Sequence, residues 1–367
     1  MSQVPARRIF PPFRARLNSL RSQFASLKVD SFLVTFQPHL RYLSGFSGSS
    51  GAGLITSGGA TLLTDGRYTD QVRNEVRNWR IAICADGVLE EMKRRKLLLP
   101  GQRVGFDGNT LTYAQYSLFK KSFPKAVFCP KADCIEKIAV VKDEAEIGNI
   151  RKAVEITDRV FSDILGMIRP GLREQDISAE ISYRQRKYGA EGDAFETIVA
   201  SGERGALPHG RASMKKIASR EMVTLDFGCV YGGYHSDMTR TVAVGRPLPE
   251  AKKIYYTVLD AQLRAIDAAR SGVKTGDLDA VARGLIRREG YDRYFRHSLG
   301  HGLGLQIHEP PRISVLSTSM LQSGNVVTIE PGVYIAGLGG VRIEDDVVIR
   351  ADHCEVLNRS PKELIVL

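Results

Sequence analysis

Apolar positions recur along this chain with two periods, one typical of helices and one typical of strands. Apolar residues spaced three and four apart give a helix one buried face, and they predict helices over residues 69–77, 112–123, 144–168, 175–187, 249–269 and 277–289. Short β-branched runs predict strands over residues 31–36, 60–64, 104–106, 222–230 and 236–244. A further amphipathic helix is predicted near the start from the spacing of Phe13, Leu17, Leu20 and Phe24.

These elements divide the chain into two domains. Helices alternate with strands up to about residue 131, which indicates an α/β domain, and the segment from Pro130 to Asp133 is a candidate hinge before a second domain of residues 132–367. Asp143 is a suitable N-cap for the long helix that follows, and Pro170 with Gly171 would end that helix. A chain of 367 residues, 43% of them hydrophobic, is long enough to bury two cores.

The second domain contains two predicted β-hairpins, each carrying a pair of acidic residues on apolar strands. In the first hairpin the turn lies between Tyr231 and Tyr234, and the predicted register places Asp226 directly opposite Asp237. Two buried carboxylates that face each other are unfavourable, because like charges repel and buried charge is costly. A bound cation would remove both penalties.

The second hairpin repeats this arrangement with glutamates. Its predicted register places Glu330 opposite Glu344 across a glycine-rich turn. Of the two acids that follow, Asp345 points to the other strand face and Asp346 lies one strand step away, so neither is preferred as a ligand. Arg342 shares the strand face of Glu344, where a guanidinium can orient a carboxylate.

A third segment supplies a nitrogen ligand. Residues 297–311 hold three of the seven histidines, interleaved with glycines that disfavour a regular helix. Four carboxylates with one imidazole suit Mn²⁺, Co²⁺, Fe²⁺ or Zn²⁺. They exceed the three protein ligands of a hydrolytic zinc ion and suit two ions about 3.5–4 Å apart. The predicted dinuclear ligands are Asp226, Asp237, His301, Glu330 and Glu344.

These motifs resemble those of the pita-bread metallopeptidases, specifically the proline-specific branch of aminopeptidase P and prolidase (Xaa-Pro dipeptidase). The resemblance extends over nearly all of the chain. It is carried by LDFG with Asp226, HSDMTRT with Asp237, SLGHGLG with His301, IHEPP with His308, TIEPGVY with Glu330 and VRIEDDV with Glu344. It implies an α+β protein with a C-terminal pita-bread (creatinase/aminopeptidase-like) domain, whose six-stranded curved sheet has two related halves, and a smaller N-terminal creatinase-type α/β domain.

The resemblance also implies roles for individual residues. Two divalent ions would occupy the five ligand positions, with Mn²⁺ preferred over Co²⁺, Zn²⁺ and Fe²⁺. Glu330 would act as general base, His209 and His308 would serve the tetrahedral oxyanion and proton handling, and His297 with Arg342 would bind substrate. The other histidines, at positions 39, 235 and 353, are expected to be solvated.

The implied activity is hydrolysis of the bond between an N-terminal residue and a following proline. The stretches FSGSSG and TDGRYTD are more similar to aminopeptidase P, which leaves prolidase as the alternative. A metal-free creatinase-like hydrolase and a non-catalytic peptide-binding module are disfavoured because all five ligand positions are kept, and a methionine aminopeptidase because of the additional N-terminal domain. Residues 45–53 are expected to be a loop, since they lack the Lys-Ser/Thr ending of a phosphate-binding loop.

Charge and cysteine content bear on partners and location. The net charge of +11 lies wholly in residues 1–130, but its basic residues are scattered, and the run from Lys93 to Lys96 is expected at a solvated helix end. Nucleic acid is therefore not an expected partner, and neither is a membrane, because no apolar run approaches the ~20 residues of a span. Five cysteines without a CxxC pair indicate a reducing, cytoplasmic environment.

Two further expectations concern the N-terminal part. Its Arg-rich, acid-poor start is similar to a transit peptide, although an amphipathic helix is the preferred interpretation. In the family that the chain resembles, the N-terminal domain closes over a neighbouring subunit's site. The resemblance therefore implies a homodimer or a higher homo-oligomer that acts on a peptide with proline at its second position.

Overall fold

The computed structural model describes residues 12–367, which form two compact units that meet between Ala139 and Val140 in the sequence. The strands of the first unit are β1 (Ser31–Val34), β2 (Ala52–Thr56), β3 (Ala60–Asp65), β4 (Arg80–Cys84), β5 (Arg103–Asp107) and β6 (Val127–Lys131). They form one mixed sheet in the order β4-β3-β2-β1-β5-β6. Its helices are α1 (Phe13–Ser22), α2 (Phe24–Leu27), α3 (Gln37–Ser44), α4 (Thr69–Glu75), α5 (Val88–Arg94), α6 (Tyr113–Ser122) and α7 (Glu136–Ala139).

The two ends of the first unit bear on the predicted domain boundary and on the Arg-rich start of the chain. The boundary between the two units follows α7, eight residues after residue 131, because the chain after β6 packs back on this unit. Cys134 and Ile135 are buried there, and Gln23 Nε2 donates to Cys134 O at 3.1 Å. The Arg-rich start belongs in part to residues 1–11, which lie outside the described residues. Among residues 12–367, no helix is both long and apolar enough to cross a membrane.

The second unit presents the same order of elements twice, two helices followed by a hairpin. Its helices are α8 (Glu144–Leu165), α9 (Glu174–Lys187), α10 (Pro249–Ala268) and α11 (Thr275–Arg288). Its strands are β7 (Gly192–Asp193), β8 (Ile198–Ser201), β9 (Met222–Phe227), β10 (Cys229–Tyr231), β11 (Tyr234–His235), β12 (Met238–Ala243), β13 (Gly300–Gly302), β14 (Glu309–Ile313), β15 (Val326–Ile329), β16 (Gly332–Ile335), β17 (Gly339–Arg342), β18 (Asp345–Ile349) and β19 (Cys354–Val356).

Local sequence explains where the long helices begin. The Asp143 side chain accepts hydrogen bonds from the backbone N–H groups of Ala145 and Glu146, and the Glu146 carboxylate accepts one from the Asp143 N–H. This capping box satisfies donors that the first turn of α8 leaves unpaired. Pro249 begins α10, where its missing N–H has no cost. The prediction of these helices is therefore confirmed within a few residues at each end.

The strands of the second unit are divided among several ladders, whereas the resemblance implied one six-stranded sheet. The described residues form a three-stranded sheet β8-β9-β12, another of β7-β10-β11, a five-stranded sheet β14-β13-β15-β18-β19 and the pair β16-β17. Helices α8 and α9 share a hydrophobic core with the first sheet, and α10 and α11 share one with the five-stranded sheet. The two hairpins are thus backed by separate helix pairs, and the α+β class is confirmed.

Two of the histidines that were expected to be solvated are not. His39 is only 5% exposed; its Nε2 lies 3.5 Å from Glu136 Oε1 and its Nδ1 lies 3.8 Å from Asp107 Oδ2. It shares the buried face of α3 with neighbouring leucines, which a lone histidine in the sequence does not reveal. His235 is half-buried, with Nδ1 3.0 Å from Gly304 O. His353 is exposed, as expected.

Candidate active site

One cavity of the second unit, about 680 Å³ in volume, receives the predicted site residues. All five predicted metal ligands line it, together with both residues expected to bind substrate and both expected to stabilise the oxyanion. These lining residues are Asp226, Asp237, His301, Glu330, Glu344, His297, Arg342, His209 and His308. Side chains that are far apart in the sequence therefore converge on a single concave surface.

The first hairpin has a different register from the predicted one. Asp226 on β9 pairs with Thr239, not with Asp237. The shift arises at the turn, where Gly232 and Gly233 both adopt positive φ angles of 58° and 81° and form the two-residue connection between β10 and β11. The hairpin is therefore centred one residue later than predicted. Asp226 and Asp237 are diagonal neighbours on the same face and still line the same cavity.

The second hairpin has the predicted register. Ile329 pairs with Asp345 on one side of the acids and Gly332 pairs with Arg342 on the other, so Glu330 and Glu344 occupy equivalent positions. The ladder is interrupted at the acids themselves, because the Glu330 N–H donates to Leu299 O and the Glu344 N–H donates to Thr239 O. These backbone bonds join the second hairpin to β12 and to the histidine-rich segment.

His301 lies between the two hairpins. Its Nε2 is 3.5 Å from Glu330 Oε1 and 3.7 Å from Asp237 Oδ2. Its Nδ1 lies 3.0 Å from Gly302 O, so Nδ1 carries the hydrogen and Nε2 presents its lone pair to the carboxylates. Ligand atoms of Asp237, His301 and Glu344 all lie within 4.8 Å of one another, a spacing that a shared cation can bridge.

The electrostatics of the cluster show that these acids are costly without a counter-charge. Burial, and then the neighbouring Glu344, raise the pKa of Asp237 well above its ordinary value. Burial followed by Glu330 does the same to the pKa of Glu344, and burial raises the pKa of Glu330 to about 8. Burial lowers the pKa of His301 to about 4. Each shift opposes the charged form in a low-dielectric site.

Two unpaired oxygens indicate that these residues fit metal ions. Asp226 Oδ1 and Asp237 Oδ1 are buried and have no hydrogen-bond partner among the described residues. Buried carboxylate oxygens are normally paired or bound to a metal. Four carboxylates and one neutral imidazole form a donor set for first-row divalent ions. The residues present therefore fit the metal ions that the sequence implied.

Arg342 holds one of these carboxylates in place. It is buried, and its Nη2 donates to Asp226 Oδ2 at 2.5 Å while its Nε donates to Thr239 Oγ1 at 3.0 Å. Its Nη1 donates to the Tyr334 hydroxyl at 2.7 Å and to Pro208 O at 3.2 Å. The predicted contact with a carboxylate is found, although with Asp226 of the first hairpin.

Several hydroxyl groups that contact the site residues were not predicted from the sequence. Thr239 Oγ1 donates to Glu344 Oε2 at 2.6 Å, and Thr328 Oγ1 donates to Glu330 Oε1 at 3.3 Å. Tyr334 connects Arg342 to His297, whose Nε2 is 2.9 Å from the tyrosine hydroxyl. Their spacing offered a signal, since Thr239 and Thr328 lie two residues from Asp237 and Glu330 and so share their strand faces.

The three other histidines of the cavity differ in environment. His297 is half-buried, and burial lowers its pKa to about 3. His308 is more exposed; its ring stands edge-on to His301 at 4.4 Å between centroids, and partial desolvation lowers its pKa. His209 is exposed at the end of the segment Leu207-Pro208. Near neutral pH, His297 and His308 are therefore uncharged in the ion-free molecule.

The rim of the cavity contains residues that were not predicted. Arg312 directly follows the IHEPP motif and is exposed, and Arg211 lies two residues after His209 and pairs with Glu196 at 2.8 Å. Phe195 and Ile307 add apolar surface. Both arginines could have been found from the sequence, because each lies within four residues of a predicted site histidine. The rim thus offers cations and apolar surface next to the acidic centre.

Comparison with known proteins places this geometry among peptidases. The sequence model of metallopeptidase family M24 matches residues 148–351, and that of the creatinase/prolidase N-terminal domain matches residues 16–141. A Xaa-Pro dipeptidase from Pyrococcus furiosus is 37% identical over 96% of this chain and 100% of its own length. These matches confirm the predicted pairing of a creatinase-type N-terminal domain with a pita-bread domain.

Solved structures give the same result. The Xaa-Pro dipeptidase from Bacillus anthracis is 42% identical, with a TM-score of 0.93 over 97% of this chain and 100% of its own. The X-Pro aminopeptidase from Thermotoga maritima is 38% identical, with a TM-score of 0.88 over 94% of this chain and 100% of its own. Both similarities extend over nearly the whole of each chain.

Proposed function

The chain belongs to metallopeptidase family M24, and from that premise we propose that it hydrolyses the peptide bond between an N-terminal residue and proline, with Xaa-Pro dipeptides as preferred substrates. One observation carries the proposal: five residues of metal-binding type, drawn from two hairpins and the strand β13, line a single cavity. Asp226 and Asp237 belong to this set, and each keeps one unpaired buried oxygen that a cation would satisfy.

Membership of this family implies divalent metal ions, and we propose that Asp226, Asp237, His301, Glu330 and Glu344 hold two of them. When bound, such ions lower the pKa of water and polarise a carbonyl. Mn²⁺ is the proposed ion, with Co²⁺, Zn²⁺ and Fe²⁺ as alternatives, because oxygen ligands predominate. Arg342 keeps Asp226 oriented through the bond described above.

Proton transfer is assigned to Glu330, and stabilisation of the oxyanion to two histidines. We propose that Glu330 takes a proton from the attacking water and passes it to the prolyl nitrogen, which must be protonated to leave. His209 and His308 line the cavity wall, where their ring N–H groups would stabilise the oxyanion that forms from the scissile carbonyl. His297, held by Tyr334, would contact the substrate.

The preference for dipeptides is supported by the rim. A dipeptide places its free carboxylate directly after proline, and Arg312, which lines the same cavity as His308, presents an exposed guanidinium for such a group. Of the relatives named above, those from Pyrococcus furiosus and Bacillus anthracis are dipeptidases, whereas that from Thermotoga maritima is an aminopeptidase. The dipeptidase alternative is therefore preferred over the aminopeptidase P interpretation that FSGSSG and TDGRYTD suggested.

Peptide hydrolysis with a matched length series tests this function. Ala-Pro, Ala-Pro-Ala and Ala-Ala would be compared after loading the protein with Mn²⁺, Co²⁺ or Zn²⁺. We expect cleavage of Ala-Pro, slower cleavage of Ala-Pro-Ala and none of Ala-Ala. A faster reaction with the tripeptide would establish an aminopeptidase, and no cleavage of either proline peptide with any metal would refute the proposed function. An Arg312→Ala variant should raise KM for Ala-Pro more than for Ala-Pro-Ala.

Assembly and location complete the proposal. We propose a homodimer or higher homo-oligomer, on the resemblance to enzymes whose N-terminal domain closes over a neighbouring subunit's site. Sedimentation that shows a monomer at micromolar concentration would contradict it. A cytoplasmic location is proposed because all five cysteines are free thiols, which a reducing compartment maintains.

A further inference from the structure

The segment that carries His209 is attached to the rest of the unit through one buried carboxylate. Glu174 is the first residue of α9 and is fully buried. One of its oxygens accepts from the Ser201 N–H at 2.8 Å and the Ser201 hydroxyl at 2.9 Å. The other accepts from the Ser213 N–H at 3.1 Å and the Ser213 hydroxyl at 2.6 Å. Glu174 therefore joins both ends of the intervening segment.

We call residues 202–212 the His209 loop. Within it, Arg204 Nε donates to the same Glu174 oxygen at 3.0 Å, which gives the carboxylate five hydrogen bonds and a charged partner. Such a fully satisfied, buried and charge-assisted arrangement is rigid, because every displacement breaks several bonds at once. The negative charge also lies at the N-terminus of α9, where the helix dipole favours it.

Two contacts at the other side of the loop fix its direction. A Cβ at Gly340 would lie 2.1 Å from Gly205 O, so the loop backbone packs directly on β17. Arg342 Nη1 donates to Pro208 O, the residue before His209. The loop is thus held at its base by Glu174 and near its tip by Arg342, and the exposed His209 projects between these supports toward the cavity.

From this geometry we propose that Glu174 is a positioning residue for His209, which it serves without reaching the reacting atoms. The proposal rests on the proposed function only through the role of His209 in catalysis. Glutamine at position 174 would keep the shape of the side chain. The amide NH2 group of glutamine cannot accept a hydrogen bond, so in one orientation it would lose the bonds from Ser213 and Arg204, and in the other the bonds from Ser201. Either loss would release one end of the loop.

A double-mutant cycle tests the proposal in the metal-loaded full-length protein, with Ala-Pro as substrate. We expect Glu174→Gln to lower kcat about tenfold, since a misplaced catalytic group loses rate at that scale or more, and to change KM less than twofold. In a His209→Ala background the same substitution should have no further effect. Equal losses in the two backgrounds would overturn the proposal, because a general structural defect acts whether or not His209 is present.

A matched control and a second measurement separate loop release from overall destabilisation. Glu146→Gln changes an equally buried carboxylate, which accepts from Tyr234 and caps α8. Hydrogen–deuterium exchange in residues 202–212 should be faster in Glu174→Gln than in wild type and unchanged in Glu146→Gln. Unchanged exchange in Glu174→Gln would refute the clamp.

The experiment also distinguishes the two levels of inference. If the wild-type protein cleaves no Xaa-Pro peptide, the proposed function fails, and the exchange measurement alone decides whether Glu174 orders the loop. If Glu174→Gln does not fold, Ser213→Ala removes the 2.6 Å hydroxyl bond to Glu174, together with the 3.1 Å bond that the same hydroxyl accepts from the Lys215 N–H. That variant should lower kcat a few-fold and accelerate exchange at the Ser213 end of the loop, and an unchanged kcat together with unchanged exchange would count against the proposal.

Discussion

The two acid-bearing hairpins of the second unit differ in how they hold their carboxylates. In the first, each aspartate keeps one unpaired buried oxygen, but Asp226 is bonded to Arg342, whereas Asp237 has a strongly raised pKa. In the second, both Glu330 and Glu344 have raised pKa values, and the partners of their oxygens are threonine hydroxyls. Within residues 12–367, one acid out of these four is thus paired with an arginine or lysine, which leaves the remaining charge for bound metal.

The comparison also concerns register. The first hairpin has a two-glycine turn and a kink after β9, where a Cβ at Gly228 would lie 1.7 Å from Ser236 O. The second hairpin keeps one register on both sides of its acids. A kinked hairpin can bring diagonal neighbours to one ion, whereas a regular hairpin does so with opposed positions. Both routes deliver two carboxylates to the same cavity.

The largest expected effect is that of removing an acid that has no protein cation. Asp237→Ala should abolish turnover because a metal ligand is lost, while far-UV circular dichroism stays nearly unchanged. The metal-free variant should melt no lower than the metal-free wild type at pH 8, since a buried carboxylate with a raised pKa disfavours folding there. Asp352→Ala, at an exposed carboxylate, is the control. A large drop in melting temperature would show that Asp237 supports the fold.

The second-largest expected effect is that of removing His308, which tests whether the two hairpins and His301 suffice to hold the ions. His308→Ala should retain bound metal, measured by elemental analysis after gel filtration, but lower kcat about 10²-fold, the usual scale for a positioned proton-transfer or oxyanion group. Full kcat would remove His308 from the mechanism. Loss of metal would instead add His308 to the metal ligands, and the difference between the two hairpins would then explain less of the metal binding.

The stability of the metal-free protein as a function of pH tests whether the acids of the second hairpin lack a compensating charge. The pKa of Glu330 is raised from 4.5 to about 8, so the folded state holds a proton that the unfolded state has released between these values. Stability should therefore fall as the pH rises, by about 2 kcal/mol from pH 6.5 to 8.5 for this group alone.

The histidines act against this change at the lower end of the window. Their lowered pKa values change stability with the opposite sign, mostly below about pH 6.5, the ordinary histidine pKa, so they offset part of the fall that starts from pH 6.5. Urea unfolding at pH 6.5 and 8.5 measures the effect. Glu330→Gln should reduce it and added Mn²⁺ should reverse it, whereas stability that is independent of pH in this window would mean that the acids are already compensated in the protein.

The smallest effect tests the turn that sets the first register. Gly233 has a φ of 81°, so Gly233→Ala should lower the free energy of unfolding by about 1 kcal/mol, and Gly233→Asn by less, because asparagine tolerates this conformation. Thermal melts of both variants measure the difference. The same pair of substitutions at Gly337, with a φ of 79°, is the matched control in the second hairpin. A loss of metal binding at either turn would show that its register is not fixed by the strands.

Much of this molecule follows from local sequence patterns. The helix period and the capping residue Asp143 located α8, α9, α10 and α11 within a few residues, because both signals act over one or two helical turns. The alternation of strand faces, which is fixed by the period of two, correctly assigned Glu330 and Glu344 to one face and Asp345 to the other. The acidic residues predicted a shared cation, because apolar strands rarely carry opposed carboxylates without one.

Contacts between distant segments decided the rest. The sequence could not place Asp226 beside Arg342, because that pairing depends on a turn geometry at Gly232 and Gly233 and on the packing of one hairpin against the other. Nor could it show that Glu174 binds both ends of the His209 loop, or that His39 is buried beside Glu136. Periodicity reports which face a residue shares within its own element. Which elements meet at that face is set by burial of the whole core and by the satisfaction of every buried polar group, and these are properties of the folded chain.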